Sequence, residues 1–262
     1  LIVMLFDLSS MQPEECRRAF DAARDYVDRR LSAADAVAIT TLSTTLQVPQ
    51  DFTSDREALL AAIDRLSGLE GKGFEEGAAV DATAEADAGY TADDTEFNVF
   101  NTDRRLEALK AITTALAPIE QKKSLIYFSS GMTQTGLDNR VAIRRVIDGA
   151  VRANTSIYAA DMRGLQAVAA GGSASEASTR GQAAFSGQSL SGRFEQMAAS
   201  QDALSTLAED TGGRAFFDQN DFGTVFDRVL TDTSSYYLLG FSSTNREKDG
   251  RFRRIRIRVR RP

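Results

Sequence analysis

The chain of 262 residues contains no histidine. Ser-His-Asp and Cys-His catalysis are thereby excluded, as are zinc sites built on imidazole, and an oxygen-ligand metal site is left as the metal chemistry to look for. A single cysteine, Cys16, rules out an internal disulfide and every multi-cysteine zinc pattern. It follows Glu14 and Glu15, and negative neighbours do not favour a reactive thiolate. No apolar run approaches the length that spans a bilayer, so no membrane span is expected in this segment. Because Leu1 already belongs to a core-like strand, the sequence reads as a fragment or mature form whose leader or anchor would not be visible.

What is present is organised around the first eleven residues, LIVMLFDLSSM. A short apolar run without alternation suits a strand covered on both faces, the centre of a parallel sheet. In open α/β sheets ligands collect beyond the carboxyl ends of such strands, which places Asp7, Ser9 and Ser10 where chemistry is usually found. The plainer alternative is that Asp7 and Ser9 bond loop amides or cap the helix starting near Pro13.

Further along, Phe20, Ala23, Val27 and Leu31 recur at helical spacing between Pro13 and Leu31. Ala36 to Leu42 and Thr45 to Phe52 read as two strands joined by a short turn, with Pro49 putting the second at a sheet edge because it cannot donate to a ladder. A helix with Leu59, Leu60, Ile63 and Leu66 on its apolar positions follows Thr53. Arg104 to Leu116 is predicted helical, with Leu106, Leu109, Ile112 and Leu116 as its stripe and Asn101 and Thr102 as cap candidates. Ser124 to Phe128 and Thr155 to Asp161 read as further buried strands, the first ending in Ser129, Ser130 and Gly131, the second in an acid. A helix over Asn139 to Ala153 separates them. Gln201 to Asp210 reads as helix stopped by Thr211-Gly212-Gly213, then come a short strand at Arg214 to Phe217 and a helix over Asp221 to Thr231. Ser235 to Phe241 and Phe252 to Val259 close the chain as a strand pair, the latter alternating isoleucine and valine with arginine.

Two stretches break this pattern. Residues 68–103 carry ten acids against Lys72 alone, and 164–200 are rich in glycine, serine and alanine; both are expected to be insertions that bury little. The acidic stretch lacks the spacing of a calcium loop. At the other end of the charge scale, seven arginines and no acid lie between Arg251 and Pro262, so the remainder of the chain carries about thirteen excess negative charges against the net of −6. Such a surface repels a polyanion, and no aromatic side chains interleave the arginines as stacking platforms, so no nucleic-acid partner is expected. A charged, protected edge strand is the better reading.

The order of elements is that of a doubly wound, mostly parallel α/β sheet with helices on both faces and one antiparallel edge. With its leading strand running into Asp-x-Ser, the chain resembles a von Willebrand factor type A domain. LFDLSSM, YFSSG, TGGRAFF, SYYLLGF and DGRFRRIRIRV make it more specifically similar to the VWFA-related family abundant in Acidobacteria. The likeness covers nearly the whole chain, and the C-terminal strand pair is its most specific part, since ordinary A domains lack it. It implies an A-type domain over residues 1–234, with insertions at about 68–101 and 164–200, and a strand pair over 235–262 that extends it.

A domains of the usual kind gather Mg²⁺ with Asp-x-Ser-x-Ser, a threonine from a later loop and an aspartate after the fourth strand, leaving one position for a partner's carboxylate. By position Asp7 and Ser9 fill the first two places and Thr102 is the candidate threonine, while Met11 stands for the second serine and Ser130 for the aspartate. A thioether is a poor ligand for a hard cation, and a single fixed carboxylate does little to offset dehydration. The resemblance therefore implies a degenerate metal-ion-dependent adhesion site, with weak or absent binding of Mg²⁺ or another divalent cation. Glu14, Glu15 and Asp161 are the carboxylates that could stand in. The expected function is that of an exported, non-enzymatic adhesion-type module binding a protein partner. Two alternatives remain: assembly of subunits through the C-terminal strands, and a metal-assisted hydrolase built on Asp7, Ser9 and Thr102, which lacks an evident general base beyond Asp7.

Overall fold

A computed structural model describes residues 1–67, 94–132, 136–164, 188–234 and 258. Strand β1 (Ile2–Asp7) is buried at every position and lies between β2 (Val37–Leu42) and β4 (Lys123–Ser129), parallel to both. Strand β5 (Thr155–Asp161) continues the parallel sheet beyond β4, and the short β6 (Arg214–Phe216) is the last strand on that side among the described residues. On the other side β3 (Leu46–Thr53) pairs antiparallel with β2 and forms the edge among the described residues. The resulting order, β3-β2-β1-β4-β5-β6, is the doubly wound α/β arrangement of von Willebrand A-like and Rossmann-like folds. Pro49 falls where the β2–β3 register slips between Ile39↔Gln50 and Thr41↔Gln47, so its missing N–H interrupts no regular ladder.

Alternation along β1 sends its side chains to two cores. Ile2, Met4 and Phe6 face α1 (Pro13–Arg29), α2 (Arg56–Ser67) and α6 (Gly223–Ser234). Val3 and Leu5 face α3 (Asp94–Leu116), α4 (Gly136–Arg152) and α5 (Gln188–Glu209). On the first face Phe6 stacks on Phe128 at 4.9 Å and meets Phe20 of α1 at 5.0 Å, which seats α1 across the centre of the sheet. Pro13 opens α1, where a missing N–H costs nothing, and the Gln12 amide donates to Glu15 Oε2 at 2.8 Å.

Two helices begin earlier than their apolar periodicity suggests. α3 starts at Asp94 and α5 at Gln188, so the last residues of both low-complexity stretches are helical, and Asn101 and Thr102 lie inside α3 rather than capping it. Phe97, Val99 and Phe100 near the start of α3, and Leu190 and Phe194 near the start of α5, stand among small and polar residues, which is why the compositional break reads as insertion up to the regular apolar stripe. The rest of the acidic and Gly/Ser-rich stretches, and the C-terminal strand pair apart from the exposed Arg258, lie outside the described residues.

Candidate functional site at the carboxyl edge of the sheet

Asp7 is the last residue of β1, and alternation points it to the same face as Val3 and Leu5, beneath α3. It is fully buried. Ser9 Oγ donates to its Oδ1 at 2.5 Å and the Tyr127 hydroxyl donates to Oδ2 at 2.8 Å. Tyr127 can reach it because it pairs in register with Leu5 on the neighbouring strand, two residues short of Asp7 on the same face. Burial, and then the charge of Asp7, raise the Tyr127 phenol well above its ordinary pKa, so the hydroxyl stays a donor.

The cation beside this carboxylate is Arg105 of α3. Its Nε lies 3.0 Å from Asp7 Oδ2, and its side chain is 11% exposed. The Nε proton is not aligned for a hydrogen bond, so the contact is an ionic one, while Nη1 donates to the Gly131 carbonyl at 3.3 Å. Gly131 has φ +95°, and a Cβ there would lie 2.1 Å from Ser200 Oγ, so the loop after β4 depends on glycine.

The loops after β1 and β4 are bonded to each other. Ser10 Oγ donates to the Asp7 carbonyl at 3.0 Å and accepts from the Ser130 amide at 3.1 Å. Ser130 Oγ donates at 2.5 Å to Glu15 Oε2, which also takes the Gln12 amide. One strand further, Asp161 is gripped by Arg163 through Nε at 2.9 Å and 3.0 Å and Nη2 at 2.5 Å, and Arg163 Nη2 also donates to Ser200 Oγ at 3.3 Å.

Of the residues that sequence places at this edge, Asp7 and Ser9 meet directly. Thr102 is buried in α3, three residues before Arg105 and so on the same helix face. Met11 turns the other way and joins the core beneath α1. Ser130 is committed to Glu15, and Asp161 to Arg163. Among the described residues no three Asp, Glu or Cys side chains come together in a metal-holding group. The donor set does not fit Mg²⁺: both oxygens of Asp7 are engaged, an arginine already neutralises it, and Met11 is in the core. Arg105 and Tyr127 escape a reading by motif. Their signal is a polar group on an apolar face: Arg105 precedes Leu109, Ile112 and Leu116 at helical spacing, and Tyr127 sits mid-strand in a buried run.

No protein-family model and no curated protein matches the chain. Among solved structures it is similar, at 10% identity and a TM-score of 0.47, to an aerotolerance-related membrane protein from Bacteroides fragilis, over 87% of this chain and 96% of that one. The conserved hypothetical protein BatB from Bacteroides thetaiotaomicron aligns at 13% identity and a TM-score of 0.47, over 89% and 98% of the two chains. Proximal thread matrix protein 1 of the mussel byssus, with a zinc-occupied MIDAS motif, aligns at 12% identity and a TM-score of 0.36, over 61% of this chain and 37% of that one. Likenesses this distant carry no weight for the site. The fold assignment rests on the sheet order and its antiparallel edge.

Proposed function

We propose that the domain is a non-enzymatic, adhesion-type protein-interaction module of the VWFA-related kind, working in an exported setting and engaging a protein partner through the loops at the carboxyl edge of its sheet. The observation that carries this reading is the mutual bonding of those loops. Ser10 joins the β1 loop to the β4 loop, Glu15 ties the start of α1 to Ser130, and Arg105 ties α3 to Gly131. A surface held in this way loses little conformational freedom on docking, which favours recognition. The hydrolase reading needs a carboxylate free to move a proton. Asp7 is buried and bonded through both oxygens, which disfavours that role.

The test is partner capture by cross-linking from the native extracellular or periplasmic fraction, comparing the wild type with Ser9→Lys and Ser130→Lys in the presence of EDTA. A partner retained by the wild type and lost from either variant, while that variant keeps the wild-type circular dichroism and unfolds cooperatively, supports the reading. A partner held equally by all three would move the interaction surface elsewhere, and hydrolytic turnover that Asp7→Asn abolishes would replace the module with an enzyme.

A further inference from the structure

We infer that Arg105 is the built-in cation of the Asp7 site: its guanidinium does at this sheet edge what a divalent metal would otherwise do, neutralising a buried carboxylate and tying the loops together, so that the edge is organised without metal. The inference stands whether or not the proposed interaction surface is correct.

Three observations converge on it. The first is the charge requirement. Asp7 is fully buried, and a carboxylate in that position must be paired or lose its charge. The hydroxyls of Ser9 and Tyr127 supply hydrogen bonds but no positive charge, and Arg105 Nε at 3.0 Å supplies it. The second is position. Arg105 comes from α3, the helix that covers the Asp7 face, on the same helical face as Thr102 and one turn ahead of the core residue Leu109. Its stem therefore runs over the apolar layer and its head ends at the polar edge. The third is the second attachment. Nη1 donates to the Gly131 carbonyl in the loop after β4, so one side chain spans the ends of β1 and β4, the two central strands. A metal ion bridging ligands from two loops would make the same connection. A guanidinium makes it permanently, because it is part of the chain and cannot dissociate from it.

A divalent ion placed on Asp7 would have to displace Arg105 or sit against its charge. Met11 and Ser130, at the two remaining ligand positions, are turned into the core and bonded to Glu15. Binding of that ion would therefore cost either the Arg105 contact or the repulsion of two cations at one carboxylate.

The decisive experiment is a double-mutant cycle on Asp7→Asn and Arg105→Ala, read by melting temperature and urea midpoint, with calorimetric titration of the wild type with Mn²⁺ and Mg²⁺ alongside. Arg105→Ala is expected to lower the melting temperature far more in the Asp7 background than in the Asp7→Asn background, since its role is to neutralise that carboxylate. Metal titration of the wild type is expected to give no saturable heat. Should Arg105→Ala fail to fold while the double variant folds, the coupling is demonstrated by that difference. If neither folds, Arg105→Lys decides: a folded, metal-silent protein supports a charge role, and a protein that binds Mn²⁺ in that variant overturns it. Equal losses in the two backgrounds, or saturable Mn²⁺ binding to the wild type that Asp7→Asn abolishes, would also overturn it. Neither readout depends on a partner, so failure here is separable from failure of the interaction reading.

Discussion

Tyr127 and Asp7 lie 120 residues apart in sequence and 2.8 Å apart at the hydroxyl and Oδ2, on adjacent central strands of the sheet. The register Leu5↔Tyr127 places the ring beside the strand end, and burial keeps its proton on. Removing that hydroxyl leaves the carboxylate short of one charge-assisted hydrogen bond without changing the apolar volume. Tyr127→Phe should lower stability by about 1.5–3 kcal/mol, measured by urea denaturation. A loss within error of zero would mean that Ser9 and Arg105 already satisfy Asp7.

Asp7→Ala strands a guanidinium that is only 11% exposed. Breaking a buried pair from one side typically costs about 3–5 kcal/mol, so this variant should be among the most destabilised single changes at the edge. Equilibrium unfolding checks it, and a cost below that of Tyr127→Phe would show that Arg105 relaxes outward to solvent.

Met11→Ser restores the serine of the A-type motif on paper only. Met11 is 7% exposed and packed with the core beneath α1, on the opposite side of the sheet from the carboxylate of Asp7. A hydroxyl there is buried among apolar groups, and truncation of a core methionine costs about 2–5 kcal/mol. The expected result is a less stable protein that still gives no calorimetric response to Mg²⁺. A variant that gained Mg²⁺ affinity at unchanged stability would require the loop to turn Met11 out of the core.

Alkaline pH should unfold the domain through its tyrosines. Burial raises the phenols of Tyr26, Tyr127 and Tyr158 above the ordinary value, with nearby Asp35, Asp7 and Asp232 respectively adding to the rise. Above pH of about 10 the unfolded chain releases protons that the native state retains. The unfolded state then binds fewer protons, so stability falls as pH rises through that window. Phenolate absorbance followed with circular dichroism should show part of the tyrosine signal appearing only with loss of structure. Smooth titration of every tyrosine at constant ellipticity would contradict the burial.

Gly131→Ala tests the loop after β4. The positive φ disfavours any side chain, and the added Cβ would press on Ser200 Oγ and on the Arg163 head that holds Asp161. Lower stability with a lengthened or lost Arg105 contact to the residue-131 carbonyl, seen in a crystal structure of the variant, is the expected outcome. An unchanged melting temperature would show that α5 yields to make room.

Local physics wrote much of this protein in its sequence. The unbroken apolar run of β1 announces a central strand, Pro49 announces an edge, and Thr211-Gly212-Gly213 stops α5, with Gly212 at φ +80° and the Gly213 amide bonded to Ala208. The placing of Asp7 and Ser9 at the end of that strand follows from the same pattern. What the sequence left open is which groups Asp7 meets. Arg105, Tyr127 and the Glu15–Ser130 bond join residues about a hundred positions apart, and their meeting depends on strand order, register and the angle at which α3 crosses the sheet. Helical and strand periodicities reach only a few residues, whereas a buried charge is satisfied by whatever the folded chain brings within about 3 Å. Tertiary structure alone therefore decided that an arginine from α3 stands beside Asp7.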